Sequence, residues 1–350
     1  MKKIYILHEY GAPSHFFGLE YIANKKSIKL YHRELNYYRQ LGSSIKHLDF
    51  DKLHKFLINL GFIISMFFRK NQTIVLGIAP YNFYLKYLRI ILRKNNIFYF
   101  TSYSCWNQKK MVHSKYYSDR LLLIWKDFIN YEVAHIFTVS QKACDELVRN
   151  GFSIRKKITV VNHSYKEEIV PSSKTNKTNE FIYVGRLTKT KGIEELLQIF
   201  EKLPNCKLTI IGDGDLKINV INASKNNNNI IYKGYINGLE SIIPIYKENS
   251  FILLNSQCSD SWEELFGISL IEGMACGLIP IATNHSGPKE IITPYLNGII
   301  CEESEILRGI TYALKMKDSE YCRMKENSII RAREFTSSNI SKKWEKIFLQ

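Results

Sequence analysis

The sequence predicts an α/β protein made of two doubly wound domains, each a parallel sheet flanked by helices. Three observations carry this expectation. Short apolar runs alternate with longer amphipathic stretches, and the series occurs twice along the 350 residues, the pattern of strands joined by crossover helices. The length sets a prior of about two domains, and 45% apolar residues supply a core for each. A polar, aperiodic stretch then separates the two series, so the expected boundaries are residues 1–165, a linker at 166–179 and residues 180–336.

In the first half, strands are expected near residues 4–10, 44–50, 73–79, 97–103, 135–140 and 157–161. The basic start Met1-Lys2-Lys3 leads into an apolar run that stops at Glu9 with no cleavage site after it. It reads as a first strand, not a signal peptide. In the second half, strands are expected near 180–185, 207–212, 230–236, 251–255, 279–283 and 297–301. Lys225-Asn226-Asn227-Asn228-Asn229 is a low-complexity loop with no assigned function. The segment from Ile340 to Leu349 is amphipathic. Seven cysteines, odd in number and without a C-x-x-C pair, read as reduced thiols of a cytosolic protein.

Charge is unevenly distributed. Residues 1–168 carry 27 Lys and Arg against 12 Asp and Glu, and residues 169–350 carry 22 against 21. Residues 52–118 hold eleven basic side chains and no acidic one, a field that meets an anionic partner or stays solvated. Within it, Phe56 to Phe68 is an apolar run of thirteen residues, too short for the roughly 20 that span a bilayer. Lys86, Arg89, Arg93 and Lys94 follow at spacings that place them on one helical face. Two readings stand: a pair of domain helices, one buried and one with a solvated basic stripe, or an interfacial surface that docks on anionic lipid. No nucleic-acid motif accompanies the charge, so nucleic acid is not expected as a partner.

The most informative segment runs from Glu264 through Phe266-Gly267-Ile268 to Glu272, two carboxylates eight residues apart around a Phe-Gly step. Phe266-Gly267 opens a helix whose free N–H groups and positive dipole end suit an anion such as a diphosphate. Eight residues is slightly over two helical turns, so Glu272 can face the same cleft and accept hydrogen bonds from vicinal hydroxyls. Upstream, Gly185-Arg186 and Lys191-Gly192 follow the strand expected at 180–185. There two cations stand where ligands of doubly wound sheets bind.

With the tail Gly273-Met274-Ala275-Cys276-Gly277, these segments resemble the Glu-x7-Glu signature of retaining glycosyltransferases of family 4. The resemblance implies the GT-B fold: two Rossmann-like domains facing a cleft, the first binding acceptor, the second nucleotide sugar. It also implies that the C-terminal helix, here about 337–350, packs back on the first domain. By that resemblance Arg186 and Lys191 contact the donor diphosphate. Glu264 orients the transferred sugar near its anomeric centre, and Glu272 binds the ribose hydroxyls. Gly185 and the amides around Phe266, Gly267 and Ile268 face the sugar or its phosphate, and the base is held near Tyr235. Neither a divalent metal nor another cofactor is implied.

The first half departs from the family, whose members place two glycines in the first strand-to-helix loop and a histidine after the fourth strand. Here the corresponding stretches are Tyr10 to Gly18 and Thr101 to Asn107, and no histidine lies between Lys55 and Lys110. Gly11, His15 and Ser102 are the acceptor-side candidates, with His15 as a substitute for the histidine. Asp213-Gly214-Asp215 has the form of a metal-binding Asp-x-Asp, but at a strand end it looks like the family's Gly-x-Gly turn. Ser286-Gly287-Pro288-Lys289-Glu290 resembles a Gly-Gly-x-x-Glu loop, with Glu290 read as a helix N-terminal charge in preference to a neighbour of the donor contacts.

The expected activity is transfer of a sugar from a nucleoside diphosphate to a hydroxyl of a lipid-linked saccharide, with retention, in surface polysaccharide or lipopolysaccharide synthesis. The expected place is cytoplasmic, peripheral on an anionic membrane. The alternative is a non-catalytic GT-B subunit supporting a partner transferase, against which Arg186, Lys191, Glu264 and Glu272 argue. A nicotinamide dehydrogenase is disfavoured because the first loop lacks Gly-x-Gly-x-x-Gly.

Overall fold

The computed structural model describes residues 2–35, 50–107, 118–152, 158–166, 169–260 and 262–348. The chain forms two compact units, one of residues 1–163 and 340–350, the other of residues 164–339.

The first unit holds β1 (Lys3–His8), β2 (Lys29–Glu34), β3 (Thr73–Gly77), β4 (Asn96–Thr101), β5 (Val133–Thr138) and β6 (Ile158–Val160). They form one sheet in the order β2-β1-β3-β4-β5-β6, and every neighbouring pair is parallel. β1, β3 and β4 are nearly continuous apolar runs because both faces are covered. β2 was not expected from the sequence. Its residues, Lys-Leu-Tyr-His-Arg-Glu, sit half-exposed on an edge, where one-sided pairing tolerates charge. The strand expected at 44–50 falls outside the described residues except for Phe50, which begins a helix.

That helix, Phe50–Phe68, is not the buried one of the first reading. Phe62, Ile63 and Met66 share one face and are buried, whereas Leu57, Ile64, Phe67 and Phe68 are exposed. Among the described residues no helix is long and apolar enough to cross a membrane. In the following helix, Leu85–Leu92, Arg89 is ion-paired with Glu132, so the basic stripe is not wholly solvated. Helix Ser337–Phe348 covers the other side of the sheet. Trp344 is buried there with its ring 4.3 Å from Phe137 and 6.1 Å from Phe100, and Phe348 lies 4.4 Å from Phe98. Such aromatic pairs each add about 0.5–1.5 kcal/mol beyond area burial.

The second unit holds β7 (Glu180–Val184), β8 (Lys207–Ile211), β9 (Ile230–Tyr232), β10 (Phe251–Leu254), β11 (Ile279–Thr283) and β12 (Ile299–Cys301). The sheet order is β12-β11-β10-β7-β8-β9, so the sequence order reverses between β7 and β10. All four residues of β10 are buried. β9 is shorter than the expected 230–236, ending before Gly234, whose φ of 75° turns the chain away. Residues 169–179 pack on this unit: the Ser172 N–H donates to the Cys276 carbonyl at 2.8 Å. The Lys177 ammonium caps the end of helix Ile306–Lys315 by donating to the carbonyls of Leu314 and Met316 at 2.6 and 2.7 Å.

Candidate active site

Ligands of doubly wound sheets bind beyond the strand carboxyl ends, at the point where the strand order reverses. In the second unit that point lies between β7 and β10, and the loops after these two strands carry Arg186, Lys191 and Glu264. Gly192, at φ 61°, brings the first loop against Asn255, just past β10. A Cβ at Gly192 would lie 2.1 Å from the Asn255 carbonyl oxygen, so no larger residue fits. Asn255 secures the approach, its amide donating to the Gly192 carbonyl at 3.0 Å and to the Glu195 carboxylate at 2.9 Å.

The Lys191 ammonium is ion-paired with the Glu264 carboxylate, and their side chains are only 12% and 13% exposed. The same ammonium lies 5.0 Å from the centre of the Trp262 ring, and the Ser256 hydroxyl donates to Glu264 Oε2 at 2.9 Å. Arg186 is exposed, while its carbonyl accepts from the buried Tyr183 hydroxyl at 2.7 Å. Gly185 precedes it at the end of β7.

Helix Ile268–Ala275 starts at Gly267, whose φ of 112° is open to glycine and strained for other residues. Phe266 is buried, its ring 5.5 Å from Phe335. Ile268 is the first helical residue, so its N–H belongs to the first-turn set that has no partner inside the helix. Glu272 stands in the second turn. The Tyr246 hydroxyl is 3.4 Å from its carboxylate. Burial pushes the Glu272 carboxyl up to about 7, and the tyrosine hydrogen bond acts in the opposite direction.

His285, just past β11, is buried. Its Nδ1 accepts from the Glu264 N–H at 3.3 Å, and its Nε2 lies 2.8 Å from the Ser256 carbonyl oxygen and 3.1 Å from Glu303 Oε1. The Gly287 N–H donates to the Glu264 carbonyl at 2.9 Å. Sequence reading passed over His285 and Ser256. Their position as early polar residues after β11 and β10 was the signal available. Glu290 lies fifth in the helix Ser286–Ile291, whose first turn has no acidic residue. The N-terminal-charge reading of Glu290 is therefore corrected.

Tyr235 is 69% exposed beyond β9. Asp213 pairs with Lys217 at 3.4 Å and accepts from the Gly214 N–H at 2.9 Å. Among the described residues, no three His, Cys, Asp or Glu side chains are grouped so as to hold a metal ion.

The acceptor-side candidates all belong to the first unit, Gly11 and His15 after β1 and Ser102 after β4. The His15 ring lies 5.5 Å from His8 and 4.2 Å from His163. Burial lowers His15 to about 4 and His8 to about 3, so both are neutral at neutral pH. Sequence reading missed Glu9, which ties three loops together at the reversal between β1 and β3. Its carboxylate accepts from the Ala79 N–H at 3.1 Å, and from the Asn82 amide and the Tyr103 hydroxyl at 3.3 Å each.

Residues 164–331 match the model of the family Glycosyl transferases group 1. The chain is 27% identical over 282 residues to an uncharacterised glycosyltransferase of Methanocaldococcus jannaschii, covering 65% of this chain and 66% of that protein. It is 27% identical over 215 residues to the lipopolysaccharide 1,6-galactosyltransferase of Salmonella typhimurium, covering 59% and 55%. The alignments thus span about half to two thirds of these relatives' own length. Among solved structures, the sucrose-phosphate synthase of Thermosynechococcus elongatus superposes with a TM-score of 0.73 at 15% identity, over 100% of this chain and 99% of that one. Anabaena HepE in complex with UDP and glucose gives 0.71 at 14% identity, over 100% of both chains. These likenesses show the GT-B fold, and over residues 164–331 the chain is similar to the group 1 glycosyltransferases.

Proposed function

We propose that the protein moves a sugar from a nucleoside diphosphate to a hydroxyl of a lipid-linked saccharide, with retention of anomeric configuration, in surface polysaccharide or lipopolysaccharide synthesis. The observation that carries this reading is the Lys191–Glu264 pair at the β7/β10 reversal, beside a helix that opens at Gly267 and holds Glu272. Similarity to the lipopolysaccharide galactosyltransferase supports the acceptor class, and the UDP-bound fold relative supports a nucleotide-sugar donor.

In the proposed reaction the bond between the anomeric carbon and the diphosphate oxygen breaks, and the acceptor oxygen bonds to the same face of that carbon. The acceptor proton passes to the departing diphosphate. Arg186, Lys191 and the first-turn N–H groups stabilise the charge that builds on the leaving group, in the role a divalent cation fills elsewhere. Glu264 holds the sugar hydroxyls as the anomeric carbon reacts, and Glu272 takes the ribose diol. The first unit, with Gly11, His15 and Ser102, takes the acceptor in this reading.

The same reading places the protein on the cytoplasmic face of a membrane. Exposed Leu57, Ile64, Phe67 and Phe68 stand beside exposed Lys55, Arg69 and Lys70, an apolar face rimmed by cations that suits an anionic bilayer surface. Thermal shift with UDP, GDP, CDP and dTDP tests the donor class. One nucleotide should raise Tm, in a manner lost in Glu272→Ala, and absence of any shift would count against the nucleotide site.

A further inference from the structure

We infer that His285 is a positioning residue that fixes Glu264 against the reacting sugar, an inference that rests on the donor role given to Glu264 above. The imidazole closes a ring of three residues. Glu264 donates its N–H to His285 Nδ1 at 3.3 Å, Ser256 donates its hydroxyl to Glu264 Oε2 at 2.9 Å, and the Ser256 carbonyl lies 2.8 Å from His285 Nε2. Because Nδ1 accepts, the ring proton resides on Nε2, where the Ser256 carbonyl and the Glu303 carboxylate at 3.1 Å both face it. A carboxylate behind an imidazole fixes its tautomer and orientation. Two residues on, the Gly287 N–H holds the Glu264 carbonyl at 2.9 Å. The turn at 285–287 therefore grips both main-chain groups of Glu264, while Ser256 and Lys191 grip its carboxylate.

None of these His285 contacts involves Glu272 or the N–H groups at the head of helix Ile268–Ala275. Loss of the imidazole should free the Glu264 loop without disturbing the ribose site. That is a defect in the reacting geometry, which appears in kcat, and not a defect in uniform binding, which appears in KM.

The two halves of the ring can be replaced separately. His285→Asn sets an amide oxygen near the place of Nδ1 and keeps the acceptor for Glu264. His285→Gln reaches toward the Nε2 partners and leaves the Glu264 N–H without one. The experiment follows nucleoside diphosphate release from UDP-glucose, UDP-galactose, UDP-N-acetylglucosamine and GDP-mannose by folded wild type and both variants. His285→Gln should lose on the order of 100-fold in kcat, the cost of a misplacement of about 1 Å, with donor KM near wild type. His285→Asn should recover most of that loss. Equal kcat in the two variants, wild-type kcat in both, or a rise in KM at constant kcat would overturn the inference while leaving the donor reading intact. Wild-type failure to turn over any of the four would overturn both.

Discussion

Lys191 and Glu264 lie 73 residues apart in the chain and form an ion pair across the point where strand order reverses in the second sheet. With both side chains largely shielded from water, the pair holds a cation ready beside the loop ahead of Gly267. In the reaction proposed above, an arriving diphosphate would compete with Glu264 for the ammonium and free the carboxylate to accept from sugar hydroxyls.

Arg186→Ala and Lys191→Ala should each weaken donor binding and turnover, by about 2–4 kcal/mol of transition-state stabilisation. They should differ in stability. Arg186 is exposed, so its loss should leave Tm unchanged, whereas Lys191→Ala leaves a shielded carboxylate unpaired and should lower Tm. Transfer rates equal to wild type in both folded variants would remove these residues as diphosphate ligands.

Glu272 should show a pH dependence of its own. Its carboxyl is raised from 4.5 to about 7 in the folded protein, so the neutral form is favoured by folding. The associated stability is fully present below the unfolded value and is lost as pH rises through about 7. Glu272→Gln, always neutral, should therefore flatten the decline in Tm between pH 5 and pH 8. Donor affinity should move the other way, rising through pH 7 as the ionised carboxylate becomes available to the ribose diol. A wild-type Tm profile that matches Glu272→Gln would show that the carboxyl is not so raised.

Sedimentation with lipid vesicles tests the membrane surface. Vesicles containing phosphatidylserine should carry down more protein than phosphatidylcholine vesicles, and added salt should weaken the association as the field is screened. Reversing Lys86, Arg93 and Lys94 should reduce it, and so should Phe67→Ser with Phe68→Ser. Arg89 is left out because it is held by Glu132. Equal sedimentation with both vesicle types, or none, would leave Lys86, Arg93 and Lys94 as solvated surface charges.

The architecture was legible where burial forces a strand to be apolar throughout, as in β10 with its Phe-Ile-Leu-Leu run. It was least legible at the edge. β2 mixes charge with apolar residues because only one neighbour pairs with it, so its sequence carries no strong strand signal. The Glu264–Glu272 spacing was visible because one loop and one helix carry it. The clamp of Ser256, His285 and Glu303 was not visible, since three separate strand ends supply it and only the parallel sheet brings them together. Glu290 was misread for a related reason: where the helix begins depends on the turn at His285, which the local motif does not reveal.

Release of nucleoside diphosphate from a panel of sugar nucleotides, by wild type and by Glu264→Gln, is the most direct measurement of the central claim. At least one donor should be hydrolysed slowly by wild type. Glu264→Gln should reduce kcat by far more than it raises donor KM, because the proposed role of Glu264 is exerted as the anomeric carbon reacts. A wild type that neither binds nor turns over any sugar nucleotide, or a Glu264→Gln variant with wild-type kcat, would contradict the account.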